Sequence, residues 1–323
     1  MKLAAYIAGL LGLALLTVLV VHADLPALLR TWKLASPVLL WLAPYRLIFF
    51  ALYAVGWRAM LRPFDTANKA RFGYVLLVTT VREGVDRLLP VASLGGSVVG
   101  VRLMRWRGLA IAPVSATIIA EIVLTLIAVY LFGGLATLIL LGSQAGGDHH
   151  AVVVVLALSL PIPVASLLLL RYGSVFQRLQ RFLRPMVGLS GADTALSLDA
   201  DLRACLSRVG TLLLAGSLQF VALASASFEI WWALRLFEHP VSAASSIMLE
   251  GLTQAVRHLA FIVPAGLGVQ EATLVLFGHA LGISTELALA VSAVKRAREV
   301  LCGLPPLLWW QLQEARRLRA LHS

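Results

Sequence analysis

Long apolar stretches constrain this chain more than any other feature of its sequence. Six of them are each long enough to cross a hydrocarbon core of about 30 Å as a helix. Only 13% of the residues are charged and 60% are apolar, whereas about a quarter of a soluble chain is charged. The sequence therefore predicts an all-α polytopic membrane protein. The six stretches are residues 3–21, 37–60, 109–141, 151–170, 209–234 and 284–311.

The first stretch admits two interpretations. Lys2, the apolar run 3–21 and the small residue Ala23 also match a secretory signal peptide. The apolar region of a signal peptide has about 7 to 15 residues, and this run has the length of a full span, roughly 20 residues. We therefore expect a retained first helix, and its removal would leave the other spans unchanged.

Basic residues are concentrated in some of the connections and are absent from others. Arginines follow the second, fourth and last stretches and precede the third, whereas residues 142–150 contain neither Lys nor Arg. This bias predicts that both termini are cytoplasmic. It also accounts for the net charge of +11 without a nucleic-acid partner.

Few residues that could support catalysis, redox chemistry or metal binding are grouped, and the one adjacent set, Asp148, His149 and His150, lies in a predicted exposed loop without a distant acid partner. Cys205 and Cys302 are far apart and have no closely spaced histidine, and no nucleotide-binding or hydrolase motif is present. The sequence therefore predicts no catalytic residues, no metal site and no cofactor, and it argues against an enzyme.

Two segments, 72–104 and 242–281, differ from simple spans because prolines and glycines interrupt them. Basic residues flank the first segment on both sides, so both of its ends are predicted to be cytoplasmic, and both ends of the second are predicted on the opposite side. Each segment is predicted to be a re-entrant helical hairpin with a hinge at its break. The hinge residues are Pro90, Gly95 and Gly96 in the first and Pro264, Gly266 and Gly268 in the second.

The two hairpins belong to an internal repeat when Pro90 is aligned with Pro264. The same offset places Gly108 on Gly282 and Glu121 on Lys295. Inverted repeats with broken helices are the architecture of secondary transporters, so we expect about six full transmembrane helices and two broken hairpins in one such repeat. The chain is then a single transmembrane domain, 1–323, with a first half 37–141, a linking span and basic loop 142–208, and a second half 209–313.

Ionisable residues inside these segments indicate a functional site, because a charge at bilayer depth costs about 2.5 to 3.5 kcal/mol on insertion scales. Arg82 and Asp86, and likewise Glu83 and Arg87, have the spacing of pairs along one helical face. The repeat would also bring Glu121 and Lys295 toward each other.

These charges predict a polar cavity near the middle of the membrane, and a purely structural set of ion pairs is the alternative. Free N–H groups after the glycine breaks also favour an anion there. Glu250, Gln254 and Arg257 form one helical stripe in the second hairpin. The candidate substrate-binding residues are Arg82, Glu83, Asp86, Arg87, Glu121, Glu250, Gln254, Arg257, Glu271, Lys295, Arg296, Arg298 and Glu299.

Two motifs resemble the broken helices of the flippase-like transmembrane domain of lysylphosphatidylglycerol synthases. They are VREGVDRLLPVASLGG at residues 81–96 and FIVPAGLGVQEA at residues 261–272. The run KRAREVLCGLPPLLWWQ at residues 295–311 resembles the branch of that family associated with bacterial hopanoid biosynthesis. In one departure, Ser97 stands where the family usually has an acid after the first glycine motif.

This resemblance implies a multi-pass protein of the bacterial inner membrane that handles a lipid and lacks the aminoacyl-transfer domain of the full synthases. We expect a lipid translocator for a hopanoid or another polar-headed lipid, such as an anionic phospholipid. The alternative is a non-transporting lipid-binding or scaffold protein for hopanoid-biosynthesis enzymes. Biosynthesis or export proteins are then the candidate partners, and a membrane-embedded lipid-modifying enzyme is the least favoured class.

Overall fold

The computed structural model describes residues 25–89, 95–142, 168, 192–260, 263 and 266–322. The predicted span 3–21, the predicted span 151–170 apart from Leu168, and the hinge residues Pro90 and Pro264 lie outside this part. The described residues contain helices and connecting turns and no β-strand.

The α-helices are numbered here along the described residues. They are α1 (Leu25–Leu61), α2 (Phe72–Leu88), α3 (Gly95–Trp106), α4 (Ile111–Gly142), α5 (Ala192–Leu206), α6 (Val209–Ser225), α7 (Ser227–Leu236), α8 (Ala243–Leu259), α9 (Val269–His279) and α10 (Thr285–His322). A short 3₁₀ helix, Arg62–Phe64, follows α1 directly.

Three segments of the described residues are long and apolar enough to cross a membrane. They are Pro44–Phe64, Ile111–Gly142 and Val209–Leu236. They coincide with three of the predicted stretches, and the third is divided at Ala226 into α6 and α7. The predicted stretch 284–311 lies in the continuous helix α10, whose four charged residues at 295–299 interrupt its apolar character.

Two apolar clusters mark the two ends of the helix bundle. The first cluster includes Leu61 at the end of α1, Val75 near the start of α2 and Met104 near the end of α3. The second includes Met248 in the first half of α8 and Phe277 near the end of α9. The hairpin α2–α3 therefore has both outer ends at one end of the bundle, and the hairpin α8–α9 has both at the other.

The first of these ends carries the basic connections, and we call it the basic end, formed by residues 58–71 and 102–109 and the C-terminal turns of α10. Arg102 pairs with Glu314, and the guanidinium of Arg317 lies 4.0 Å from the ring centre of Trp106. These contacts bring the C-terminal part of α10 to the same end as the outer ends of the first hairpin.

Several helix boundaries recur at a single sequence offset, which is the offset of the predicted internal repeat. The same 174 residues separate the starts of α3 and α9, the starts of α4 and α10, and the glycines Gly108 and Gly282. Both glycines have a left-handed backbone, with φ of +77° and +73°, which side chains disfavour. Each therefore makes the same turn from a hairpin into the long helix that follows.

The two halves pack on each other in a reciprocal way. The first arm of each hairpin lies against the last long helix of the other half, so that α2 packs on α10 and α8 packs on α4. Helices α1 and α6 also pack together. This arrangement places both hairpin breaks and the charged part of α10 in the centre of the bundle.

Candidate functional site

A continuous set of ion pairs occupies the centre of the described bundle, and we call it the central network. Each member lies within 4.0 Å of an oppositely charged member. Five arginines and four glutamates give it one excess positive charge. The members are Arg46 on α1, Glu83 and Arg87 on α2, Glu229 on α7, Arg257 on α8, Glu271 on α9, and Arg296, Arg298 and Glu299 on α10.

Arg46 and Glu229 join the two halves of the molecule. The guanidinium of Arg46 lies 3.3 Å from the carboxylate of Glu83 and 3.6 Å from that of Glu229. Glu229 in turn accepts hydrogen bonds from Arg298. Since the side chains of Arg46, Glu229 and Arg298 are almost fully buried, they compensate one another's charge away from water.

The second hairpin contributes its charges on both sides of its break. Arg257 donates to Gln270 at 2.7 Å and to Glu299 at 3.3 Å. Arg296 donates to Glu271 at 3.1 Å and to Glu299 at 3.2 Å, so α10 holds the start of α9. Glu271 lies in the first turn of α9, where a negative charge is favoured by the helix dipole.

Two further ion pairs lie beside the central network. Arg82 donates to Glu121 at 2.7 Å, and its guanidinium lies 4.7 Å from the ring centre of Trp57. Lys295 pairs with Glu250, which also accepts a hydrogen bond from Gln254 at 2.7 Å. Glu121 and Lys295 therefore do not form an ion pair with each other, because each pairs with the hairpin of its own half.

The predicted ion pair of Arg82 with Asp86 is wrong, although Glu83 and Arg87 do pair at 3.1 Å. Asp86 instead accepts a hydrogen bond from the backbone N–H of Gly96 at 2.8 Å. This N–H is one of the free donors at the start of α3, which attract a negative charge. The anion expected at this helix start is thus supplied by the chain itself.

Gly96 permits this contact because the chain approaches it closely. A Cβ atom at this position would lie 2.4 Å from the Arg82 carbonyl oxygen and 2.5 Å from a carboxylate oxygen of Asp86. We expect Gly96→Ala to lower the free energy of unfolding by about 1 to 3 kcal/mol, because the added methyl group would push the two arms of the hairpin apart. Thermal unfolding of the purified protein in detergent measures the change.

Gly134→Ala is the matched control for that substitution. Gly134 lies inside α4, and a Cβ atom there would meet nothing within 4 Å. Alanine has a higher helix propensity than glycine in a helix interior, so this variant should be as stable as the parent or more stable. Equal destabilisation by both substitutions would contradict the proposed close approach at Gly96.

Three members of the central network are partly accessible, whereas the others are almost fully buried. The exposed fraction of the side chain is 26% for Glu83, 22% for Arg87 and 21% for Arg296. Arg87 also interacts electrostatically with Glu299, the partner of Arg296. Two of the three partly accessible members are thus arginines, one from each half of the molecule.

The charged side chains at these residues contact one another, and the polar cavity expected at mid-membrane stays a prediction. Two pockets among the described residues lie elsewhere, one at the basic end and one against apolar side chains such as Ile230 and Leu249. The described residues also contain no group of three side chains able to hold a metal ion.

Sequence reasoning missed Arg46, Glu229, Gln270 and Ser292. Arg46 and Glu229 are isolated charges within the candidate spans Pro44–Phe64 and Val209–Leu236, so the cost of burying a charge was a signal for both. Gln270 and Ser292 are neutral and gave no such signal. Ser292 accepts from Gln270 at 2.8 Å and donates to Glu271 at 2.9 Å, which links α9 to α10.

Comparison with known proteins identifies the family of this chain. The family model described as the Lysylphosphatidylglycerol synthase TM region matches residues 6–305. A search of curated proteins and a search of solved structures each found no match. Because the family model covers most of the sequence, the chain belongs to the Lysylphosphatidylglycerol synthase TM region family and is a membrane protein related to lipids.

Proposed function

We propose that this protein moves a polar-headed lipid between the two leaflets of the bacterial inner membrane, with a hopanoid as the leading substrate. The observation that carries the proposal is the position of Arg87 and Arg296. They are the partly accessible arginines of a buried ion-pair network, they come from the two halves of the molecule, and they lie near the two hairpin breaks.

The proposed membrane arrangement has about six spans and two re-entrant hairpins related by an inverted repeat. Both termini then lie in the cytoplasm, because the basic end of the bundle faces the cytoplasm under the positive-inside rule. The hairpins α2–α3 and α8–α9, which open toward opposite ends of the bundle, support this arrangement.

In the proposed mechanism the lipid headgroup replaces some of the ion-pair contacts within the central network. A phosphate or carboxylate group accepts paired hydrogen bonds from a guanidinium, and a hydroxyl group donates to a glutamate. Glu271 and Glu299 hold Arg296 in place, as Glu83 holds Arg87. The apolar part of the lipid stays in the bilayer while the headgroup crosses between the two hairpins. No catalytic step and no cofactor are part of this mechanism.

Transbilayer movement in proteoliposomes tests the proposal. Vesicles containing the purified protein are compared with empty vesicles, using labelled hopanoid-like lipids and labelled anionic phospholipids, with and without a proton gradient. We expect flux above that of empty vesicles for at least one of these classes. The absence of flux for every lipid, with protein shown to be folded, would overturn the translocator proposal.

A second candidate function is a lipid-binding protein that presents a hopanoid or its precursor to biosynthetic enzymes without transporting it. The observation that favours it is the closed state of the central network, whose charged side chains contact one another. This function predicts one lipid that remains bound during purification, no change in that lipid's mass on incubation, and no flux. Co-purification of the bound lipid, measured by mass spectrometry, separates it from the translocator.

A further inference from the structure

A polar cavity lies outside the central network, at the basic end of the bundle. It has a volume of about 240 Å³ between the end of α1 and the loop that leads to α2. This is several times the space of one water molecule, about 30 Å³, and less than the roughly 300 to 1,000 Å³ of a drug-sized pocket. The cavity thus has room for a headgroup and not for a whole lipid. Its lining residues are Arg58, Leu61, Arg62, Asp65, Asn68 and Ala70.

Two arginines give this cavity its positive charge. Arg58 is fixed in orientation, because its Nε donates to the carbonyl oxygen of Ala70 at 3.2 Å and its Nη2 donates to the Asn68 side chain at 3.5 Å. Arg62 is exposed and makes no side-chain hydrogen bond or ion pair with any other described residue. Both guanidinium groups therefore retain N–H donors for a ligand.

The carboxylate of Asp65, the acidic residue of the cavity, is hydrogen-bonded to the backbone of the same loop. One of its carboxylate oxygens accepts from the backbone N–H of Lys69 at 2.9 Å, and the other accepts from that of Ala70 at 2.7 Å. These bonds fix the loop that closes the cavity. The amine of Lys69 donates to the carbonyl oxygen of Gly108, so the loop is also tied to the turn between α3 and α4.

The position of the cavity points to a lipid. The candidate span Pro44–Phe64 ends at the cavity, so the cavity lies where a span meets the headgroup region. The negative end of the α1 dipole, equivalent to about half a charge, opposes an anion here. The two arginine charges outweigh that half charge and the single negative charge of Asp65 together. Long arginine side chains also reach the headgroup region from the last turns of a span.

We propose that this cavity binds the phosphate of an anionic phospholipid in the leaflet at the basic end. The site is separate from the central network, and its occupation does not depend on whether the protein translocates a lipid. Arg58 and Arg62 hold the phosphate, and the acyl chains remain in the bilayer. Guanidinium groups suit this ligand because they bind phosphate oxygens in pairs.

Arg62→Gln tests the site, with Arg71→Gln as the matched control. Both residues are exposed arginines of the same connection, but only Arg62 lines the cavity. The detergent-solubilised full chain is titrated with phosphatidylglycerol, with phosphatidylcholine of the same acyl chains, and with inorganic phosphate, and the rise in Tm is recorded. We expect phosphatidylglycerol to stabilise the parent more than phosphatidylcholine does.

We expect Arg62→Gln to need about tenfold more phosphatidylglycerol for the same rise in Tm, and Arg71→Gln to stay within about twofold of the parent. Arg58→Lys, which keeps the charge and loses the paired hydrogen bonds, should weaken binding in the same direction. Equal loss in the Arg62 and Arg71 variants would overturn the proposal in favour of unspecific attraction to the leaflet. Full stabilisation by inorganic phosphate alone would overturn it in favour of a free-phosphate site.

Discussion

Glu229→Gln is expected to destabilise the protein by about 3 to 5 kcal/mol, the range measured when one partner of a buried ion pair is removed. The carboxylate of Glu229 is the partner of Arg298 and lies 3.6 Å from Arg46, and all three side chains are almost fully buried. Glutamine has nearly the same shape, so the loss arises from two buried guanidinium groups deprived of a negative charge. Equilibrium unfolding in mixed detergent micelles measures the difference.

The exposed Glu238 provides the control for this prediction, because Glu238→Gln makes the same chemical change without burying a charge. That variant should unfold within about 0.5 kcal/mol of the parent. Adding Arg298→Gln to Glu229→Gln removes one of the two charges that had lost Glu229 as a partner, so the double variant should lose less stability than the sum of the two single variants. Strictly additive losses would contradict a direct Glu229–Arg298 interaction.

The sequence predicted the all-helical class and three of the long spans well, because apolar length is a local feature. The re-entrant placement of the two interrupted segments in the membrane stays a prediction. The pair of Glu83 with Arg87 was also predictable, since one helical turn separates the two residues. Arg82 and Asp86 have the same spacing and do not pair, because Glu121 on α4 and the start of α3 provide better partners. Spacing along one helix shows which residues can pair, but tertiary packing decides which of them do.

The long-range contacts of the central network could not be predicted from the sequence, because they too depend on tertiary packing. Arg46 reaches Glu229 only after α1 and α7 have packed at the centre of the bundle. The sequence also could not distinguish accessible charges from buried ones, because that depends on how the halves meet. Arg257 and Glu271 are buried and tied to several partners, so their substitution tests stability and function together.

Arg87→Gln and Arg296→Gln are expected to reduce lipid flux in proteoliposomes by about tenfold or more while the protein remains folded. A charge-assisted hydrogen bond contributes about 1.5 to 3 kcal/mol, so the loss of one bond to a headgroup is sufficient for this change. The two side chains are partly exposed, so their charges are less deeply buried within the protein than that of Glu229. Their removal should therefore lower the free energy of unfolding by less than that of Glu229 does.

Arg105→Gln is the control, because Arg105 is an exposed arginine on α3 at the basic end and makes no ion pair with any other described residue. Its flux should equal that of the parent, which excludes a general effect of reduced positive charge. The double variant Arg87→Gln with Arg296→Gln distinguishes a shared headgroup from two independent sites, since a shared headgroup makes the second loss smaller than the first. If both single variants unfold as readily as Glu229→Gln, the accessible arginines belong to the structural network and the headgroup site must lie elsewhere.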